Sequence, residues 1–207
     1  MLKNFLNAIL SIFFDISTDS NSKNVFHFHN LTEHFRTEIR ELYLDEIYIG
    51  AMYEHISSDL ESYKYRSNRD YTSTYVDILA KVVEESKILE LNQSIGIVPT
   101  PMHWSRYFIR GFNHIDRLSV ALCEKLDILY FPIIGTTYNK RQSKLSKKER
   151  ITNRKNSFFF KQKIILPESV ILIDDIISTG STANSCAKLL KENGVKKVFG
   201  IFIASNQ

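Results

Sequence analysis

A chain of 207 residues that is 43% hydrophobic and 12% aromatic, with seven glycines and four prolines, can fill one α/β domain with an appended segment and is short for two independent domains. Collagen-like, coiled-coil and extensively disordered chains are excluded by the same composition. The formal net charge of +4 is unevenly spread: ten basic residues between Tyr138 and Lys163 face Glu149 alone, a local net of +9 that leaves −5 for the rest. One anion-meeting surface on an otherwise ordinary domain is therefore expected.

At the amino terminus Leu2, Phe5, Leu6, Ile9 and Phe13 recur at helical spacing, with Ile12 and Phe14 widening the stripe. Asn7 and Ser11 interrupt the run, which is too short to cross a bilayer. Lys3 lends it the outline of a signal peptide, yet Asp15-Ile16-Ser17-Thr18-Asp19 supplies no small-x-small cleavage site. An amphipathic helix packed on the body is the reading, with membrane-surface association as the alternative. A polar linker, Ser17 to Asn24, follows. His27, His29 and His34 lack Cys or carboxylate partners at ligand spacing and read as solvated or packed. Cys123 and Cys186 sit on apolar helical stretches without metal-ligand spacing, which fits two buried thiols in a reducing cytoplasm.

Leu44, Ile47, Ile49 and Met52 predict short extended pieces at a sheet edge. Ser57–Tyr65 and Tyr71–Leu91 predict helices, the second with an apolar stripe of Tyr75, Ile78, Leu79, Val82, Val83 and Leu89. Ser94–Pro99 is β-rich, Ile115–Leu126 helical, Ile128–Ile134 strand-like and Ser157–Phe160 a further strand. Val170–Ile173 is an apolar strand ending in two aspartates; a helix spans Ser181 to Asn193, and Val198–Ile203 is the last strand. Unbroken apolar strands alternating with helices predict a mainly parallel sheet covered on both faces. The division expected is residues 1–42 as a helical segment with linker and 43–207 as the α/β domain.

The strongest chemical signal is Asp174-Asp175-Ile176-Ile177-Ser178-Thr179-Gly180-Ser181-Thr182. A buried parallel strand carries two carboxylates to its carboxyl end, where open α/β sheets bind ligands. Four hydroxyls and a glycine then lead into a helix amino terminus, whose free N–H groups and dipole favour a phosphate monoester. Carboxylates that hold a diol beside a phosphate cradle describe a ribose 5-phosphate. A capped strand–turn–helix would explain one hydroxyl but not the paired acids and the whole cluster. A receiver-type pocket needs further βα units, for which too little chain follows, and a Walker loop needs a Gly-Lys pair that is missing.

This segment resembles the 5-phosphoribosyl 1-pyrophosphate (PRPP) signature of type I phosphoribosyltransferases. Three further stretches resemble the ComF family: Ile97-Val98-Pro99-Thr100-Pro101-Met102-His103 with Arg106 and Arg110-Gly111-Phe112-Asn113; Gln142, Leu145, Glu149-Arg150, Asn153 and Phe158; and Lys64-Tyr65-Arg66. The resemblance runs from about Tyr43 to the end. It implies a type I phosphoribosyltransferase fold and PRPP binding, with the 5-phosphate on Ser178, Thr179, Gly180, Ser181 and Thr182 and the ribose hydroxyls on Asp174 and Asp175. Pyrophosphate is then expected near Thr100, Arg106 and Arg110, with Mg²⁺ held mainly by PRPP itself. The chain departs from the family in having no cysteine before Cys123, so the four-cysteine zinc module of relatives, and bound zinc, are not expected.

Two functions follow from the resemblance. One is phosphoribosyl transfer to an acceptor that the sequence does not name, with release of pyrophosphate. The other is a non-catalytic PRPP-responsive or single-stranded-DNA-handling accessory of natural competence and DNA uptake, working with the competence machinery. The basic stretch serves either one, as a mobile loop over the site including Gln142, Lys144 and Arg150, or as a nucleic-acid patch flanked by Tyr138, Phe158, Phe159 and Phe160. A plain solvated loop is the third reading of that stretch.

Overall fold

The computed structural model describes residues 28–52, 56, 70–92, 94–102, 107, 110–136, 158–162 and 164–206. The expected amino-terminal helix, the Ser57–Tyr65 helix, Lys64-Tyr65-Arg66 and nearly all of the basic stretch lie outside these residues.

Six strands form the main sheet: β1 (His29–Asn30), β2 (Glu46–Met52), β3 (Ile95–Pro99), β4 (Leu129–Tyr130), β7 (Ser169–Ile177) and β8 (Lys197–Ser205). Their spatial order is β1-β2-β8-β7-β3-β4, and every pairing except β1 with β2 is parallel. A separate antiparallel ribbon pairs β5 (Ile134–Thr136) with β6 (Phe158–Phe160). The helices are α1 (Thr32–Glu38), α2 (Asp70–Glu85), α3 (Ile88–Leu91), α4 (His114–Leu126) and α5 (Ser181–Glu192). The mainly parallel sheet flanked by helices agrees with the expected class.

Strand alternation divides the core in two. On one face Ile171 and Ile173 of β7 and Phe199, Ile201 and Ile203 of β8 pack with Leu79, Val82 and Val83 of α2 and Leu118 and Leu122 of α4. On the other, Val170, Leu172, Val198 and Phe202 pack with Phe35 of α1, with Cys186, Ala187 and Leu190 of α5, and with Ile134 of β5. Residues Val170 to Ile173 are 0% exposed, as a strand buried on both faces requires.

Several boundaries differ from expectation. Strand β2 is not at the edge, because His29–Asn30 adds an antiparallel strand outside it. The predicted helix Tyr71–Leu91 divides after Glu85, where Lys87 takes a left-handed backbone (φ 57°). The predicted strand Ile128–Ile134 divides into β4 and β5 around Pro132, which has no N–H to give a ladder. Strand β7 continues past Ile173 to Ile177, because its pairing with β8 runs on through Asp174↔Phe202 and Ile177↔Ser205.

Both thiols are buried and unpaired with each other. Burial pushes the Cys123 thiol from its ordinary 9.0 up to about 11, with Glu124 adding to the rise. Cys186 is pushed higher still, by burial and then by the Asp174 carboxylate. The phenols of Tyr48 and Tyr130 are raised by burial and by donating to Glu46 and Asp116. Groups with raised folded-state values favour the fold below their unfolded values, and that contribution is lost as pH rises through the folded ones. The contribution of Cys123 to stability should therefore be complete below about pH 9 and be lost between pH 9 and 11, as the unfolded thiol ionises and the folded one does not. Denaturant titrations across that range check this. A native chain whose thiols react at neutral pH with a thiol reagent as fast as the denatured chain's would contradict the burial.

Candidate functional site

The connections leaving β3 and β7 turn in opposite directions: β3 is followed by its neighbour β4 on one side, and β7 by β8 on the other. That divergence leaves a crevice beyond the carboxyl ends of the two strands, the place where open parallel sheets bind ligands. A cleft of about 250 Å³ lies there. It is lined by Thr100, Pro101 and Met102 after β3, by Arg110, His114 and Ile115 at the start of α4, and by Asp174 through Ala183, with Phe202 of β8.

The structure thus brings together nearly all the described residues singled out from the sequence: Thr100, Arg110, Asp174, Asp175, Ser178, Thr179, Gly180, Ser181 and Thr182. Arg106, Gln142, Lys144 and Arg150 lie outside the described residues.

The hydroxyl loop is shaped by Gly180, whose φ of 66° belongs to the left-handed region and which caps α5 without any side-chain hydrogen bond. Thr179 Oγ1 and Ser181 Oγ are 3.1 Å apart, so the hydroxyls form one polar edge. Beneath the loop, Phe35 and Ile39 approach Gly180 so closely that a Cβ there would lie 3.0 to 3.1 Å from their carbons. The first turn of α5 is also tied down through Asn184, whose Oδ1 accepts the Tyr43 N–H at 2.6 Å and whose Nδ2 donates to the Glu41 carbonyl at 2.8 Å. Helix α1 and residues 39–43 therefore form the floor of the loop.

The two aspartates sit on opposite faces of β7, by the alternation of a strand. Asp174 lies on the α5 side, near enough to raise the Cys186 thiol, and its Oδ1 accepts the Asp175 N–H at 2.8 Å. Asp175 lies on the α4 side, where its Oδ1 accepts the Ile176 N–H at 2.7 Å and its Oδ2 meets His114 Nε2 at 2.7 Å. The other ring nitrogen of His114, Nδ1, is 3.2 Å from Arg110 Nη1. His114 is 2% exposed, and sequence reasoning missed it, beginning the helix at Ile115. Its signals were present: it follows Asn113, whose Oδ1 caps α4 through the Ile115 and Asp116 N–H groups, and it stands four residues after Arg110. Thr100, 3% exposed, is held by donating its N–H to the Ile173 carbonyl at 2.9 Å.

Among the described residues no group of three or more His, Cys, Asp or Glu side chains is placed to hold a metal ion. His29 is in β1 and His34 in α1, while His27 is outside the described residues. Among the described residues no helix is long and apolar enough to cross a membrane.

Fold and site together define a mainly parallel α/β protein with a cleft lined by hydroxyls, carboxylates and Arg110 at the divergence of its strands. The chain is 32% identical over 157 residues to competence protein F of Haemophilus influenzae, covering 73% of this chain and 69% of that protein. It is 34% identical to competence protein ComFC of Streptococcus pneumoniae, covering 55% of this chain and 49% of that one. With the DNA utilization protein YhgH of Escherichia coli K12 the identity is 30%, over 58% and 54%. It belongs to the ComF competence-protein family. No family model matches the chain. Among solved structures, adenine phosphoribosyltransferase of Thermoanaerobacter pseudethanolicus aligns over 67% of this chain and 82% of that one, at 15% identity and a TM-score of 0.39.

Gly180→Ala should destabilise the chain by about 1–2 kcal/mol, because an L side chain resists the left-handed backbone and its Cβ meets Phe35 and Ile39. Denaturant unfolding measures this. An unchanged midpoint would mean that the loop relaxes to another backbone.

Proposed function

We propose that the cleft binds PRPP. The observation that carries this reading is the convergence, in one cleft, of a hydroxyl-rich helix start, two carboxylates and the Thr100–Arg110 side. The 5-phosphate belongs on Ser178–Thr182, where exposed N–H groups and hydroxyls donate to its oxygens. Ribose hydroxyls donate to the carboxylates of Asp174 and Asp175, and the diphosphate lies toward Thr100 and Arg110, with Arg106 contributing by resemblance to the family. The donor set suits Mg²⁺ carried in on diphosphate oxygens better than a resident metal, because a small hard cation keeps phosphate and water ligands. When bound, that cation would neutralise charge on the diphosphate.

On this reading the chemistry is phosphoribosyl transfer. The bond from the anomeric carbon to the diphosphate oxygen breaks, positive charge develops on the ring, and a nucleophile forms the new bond as pyrophosphate leaves. The chain's share is to orient the sugar through its hydroxyls and to hold the leaving group. PRPP with Mg²⁺ should raise the melting temperature by mass action. Asp174→Asn with Asp175→Asn should weaken binding by about 1–3 kcal/mol, the loss expected when charged acceptors become neutral. Calorimetry on both proteins tests it, and equal affinity would remove the site.

A second reading is favoured by the +9 stretch and by relatives named for competence and DNA utilization. Here the protein is a cytoplasmic accessory of DNA uptake that handles single-stranded DNA and senses PRPP. DNA binding should then weaken steeply with salt, since each neutralised phosphate releases counterions. Lys144→Glu, Lys147→Glu and Lys148→Glu together should abolish it and spare PRPP affinity. If the stretch instead closes over the sugar, DNA binding is weak from the start and the same change slows turnover. Filter binding at two salt concentrations beside a PRPP titration separates them.

A further inference from the structure

We infer that His114 is a positioning residue that couples the diphosphate side of the cleft to its ribose side, an inference that rests on the PRPP reading above. An imidazole 2% exposed would be costly to bury with its nitrogens idle, and both are engaged. The donor inventory fixes the tautomer. A guanidinium can only donate, so Nδ1, 3.2 Å from Arg110 Nη1, must accept. The neutral ring then carries its proton on Nε2 and donates it to Asp175 Oδ2 at 2.7 Å. The result is a directed chain of guanidinium, imidazole and carboxylate, with Arg110 four residues before His114 and Asp175 on β7.

Each end of this chain faces a different part of the ligand. Arg110, Thr100 and Met102 line the cleft, as do Asp175, Ile176 and the hydroxyl loop. Asp175 is further fixed by the Ile176 N–H on its other oxygen, so the ring selects one carboxylate orientation and one guanidinium position together. Asn113 caps α4 one residue earlier and keeps the ring's backbone in place. A second proton on Nδ1 would set two donors against each other at Arg110 and break the chain. Ordering Arg110 through a diphosphate therefore also orders Asp175 for the sugar, and the reverse. A ring that only filled core space would not link the two.

The test uses the full chain with Mg²⁺, titrated calorimetrically with ribose 5-phosphate, with pyrophosphate, with each in the presence of the other, and with PRPP. In the wild type each half-ligand should strengthen the other by about 5-fold or more, the lower end of ordinary coupling between sites. His114→Leu fills the space without the polar link and should bring that factor close to one. His114→Gln retains an acceptor for Arg110 and a donor for Asp175, and should restore most of the coupling. If the leucine variant does not fold, His114→Asn takes its place, a polar side chain too short to reach both partners, with the same loss expected. Full coupling in the leucine or asparagine variant, or a glutamine variant as damaged as either, overturns the inference. A wild type that binds none of these ligands removes the PRPP reading and this inference with it, whereas a wild type that binds PRPP without coupling removes the inference alone.

Discussion

The parallel pairing of β3 with β7 is the constraint on which the site depends. Five register pairs, Ile95↔Ser169 to Pro99↔Ile173, align the carboxyl ends of the two strands. Because the chain leaves them in opposite directions, the described turn after each becomes one wall of the crevice. Full burial of Ile97, Val98 and Val170–Ile173 makes this register hard to shift, since a slip by one residue would exchange the two faces of the core. The loops that carry polar chemistry thus stand on fully buried strands.

The amino-terminal side of the domain supports the same site from below. Phe35 and Ile39 fill the space under Gly180, and Asn184 is held through both ends of its amide by residues 41 and 43. Farther along, Asp45 accepts from Lys191 of α5 at 2.7 Å and from the Val198 N–H of β8 at 2.6 Å, locking the helix to the next strand. The hydroxyl loop is therefore braced at its start by apolar packing and at the far end of its helix by a charged hydrogen bond.

Much of this was legible in the residues. The apolar run Val170–Ile173, the paired acids and the hydroxyl loop belong to one stretch of chain, so local pattern was enough to locate them. What escaped depended on distant partners. Nothing local shows that β7 continues to Ile177, because β8 supplies the pairing that carries it on. Nothing local placed β2 inside the sheet, because its outer neighbour is a two-residue strand too short for any periodicity. His114 escaped for a related reason: a histidine beside a helix cap is ordinary, and only the approach of Asp175, 61 residues away in the chain, gives it a second partner.

The paired acids also look equivalent in the sequence and are not equivalent in the fold. Expected together at a strand's end, they lie within β7, and alternation sends them to different helices. Asp174 has the α5 side, a buried thiol and the backbone N–H of its neighbour around it. Asp175 has the α4 side and a ring that is itself held by a guanidinium. Two carboxylates with such different surroundings are not interchangeable. The one beside α5 lies against Cys186 of that helix, and the one beside α4 is tied through His114 to Arg110.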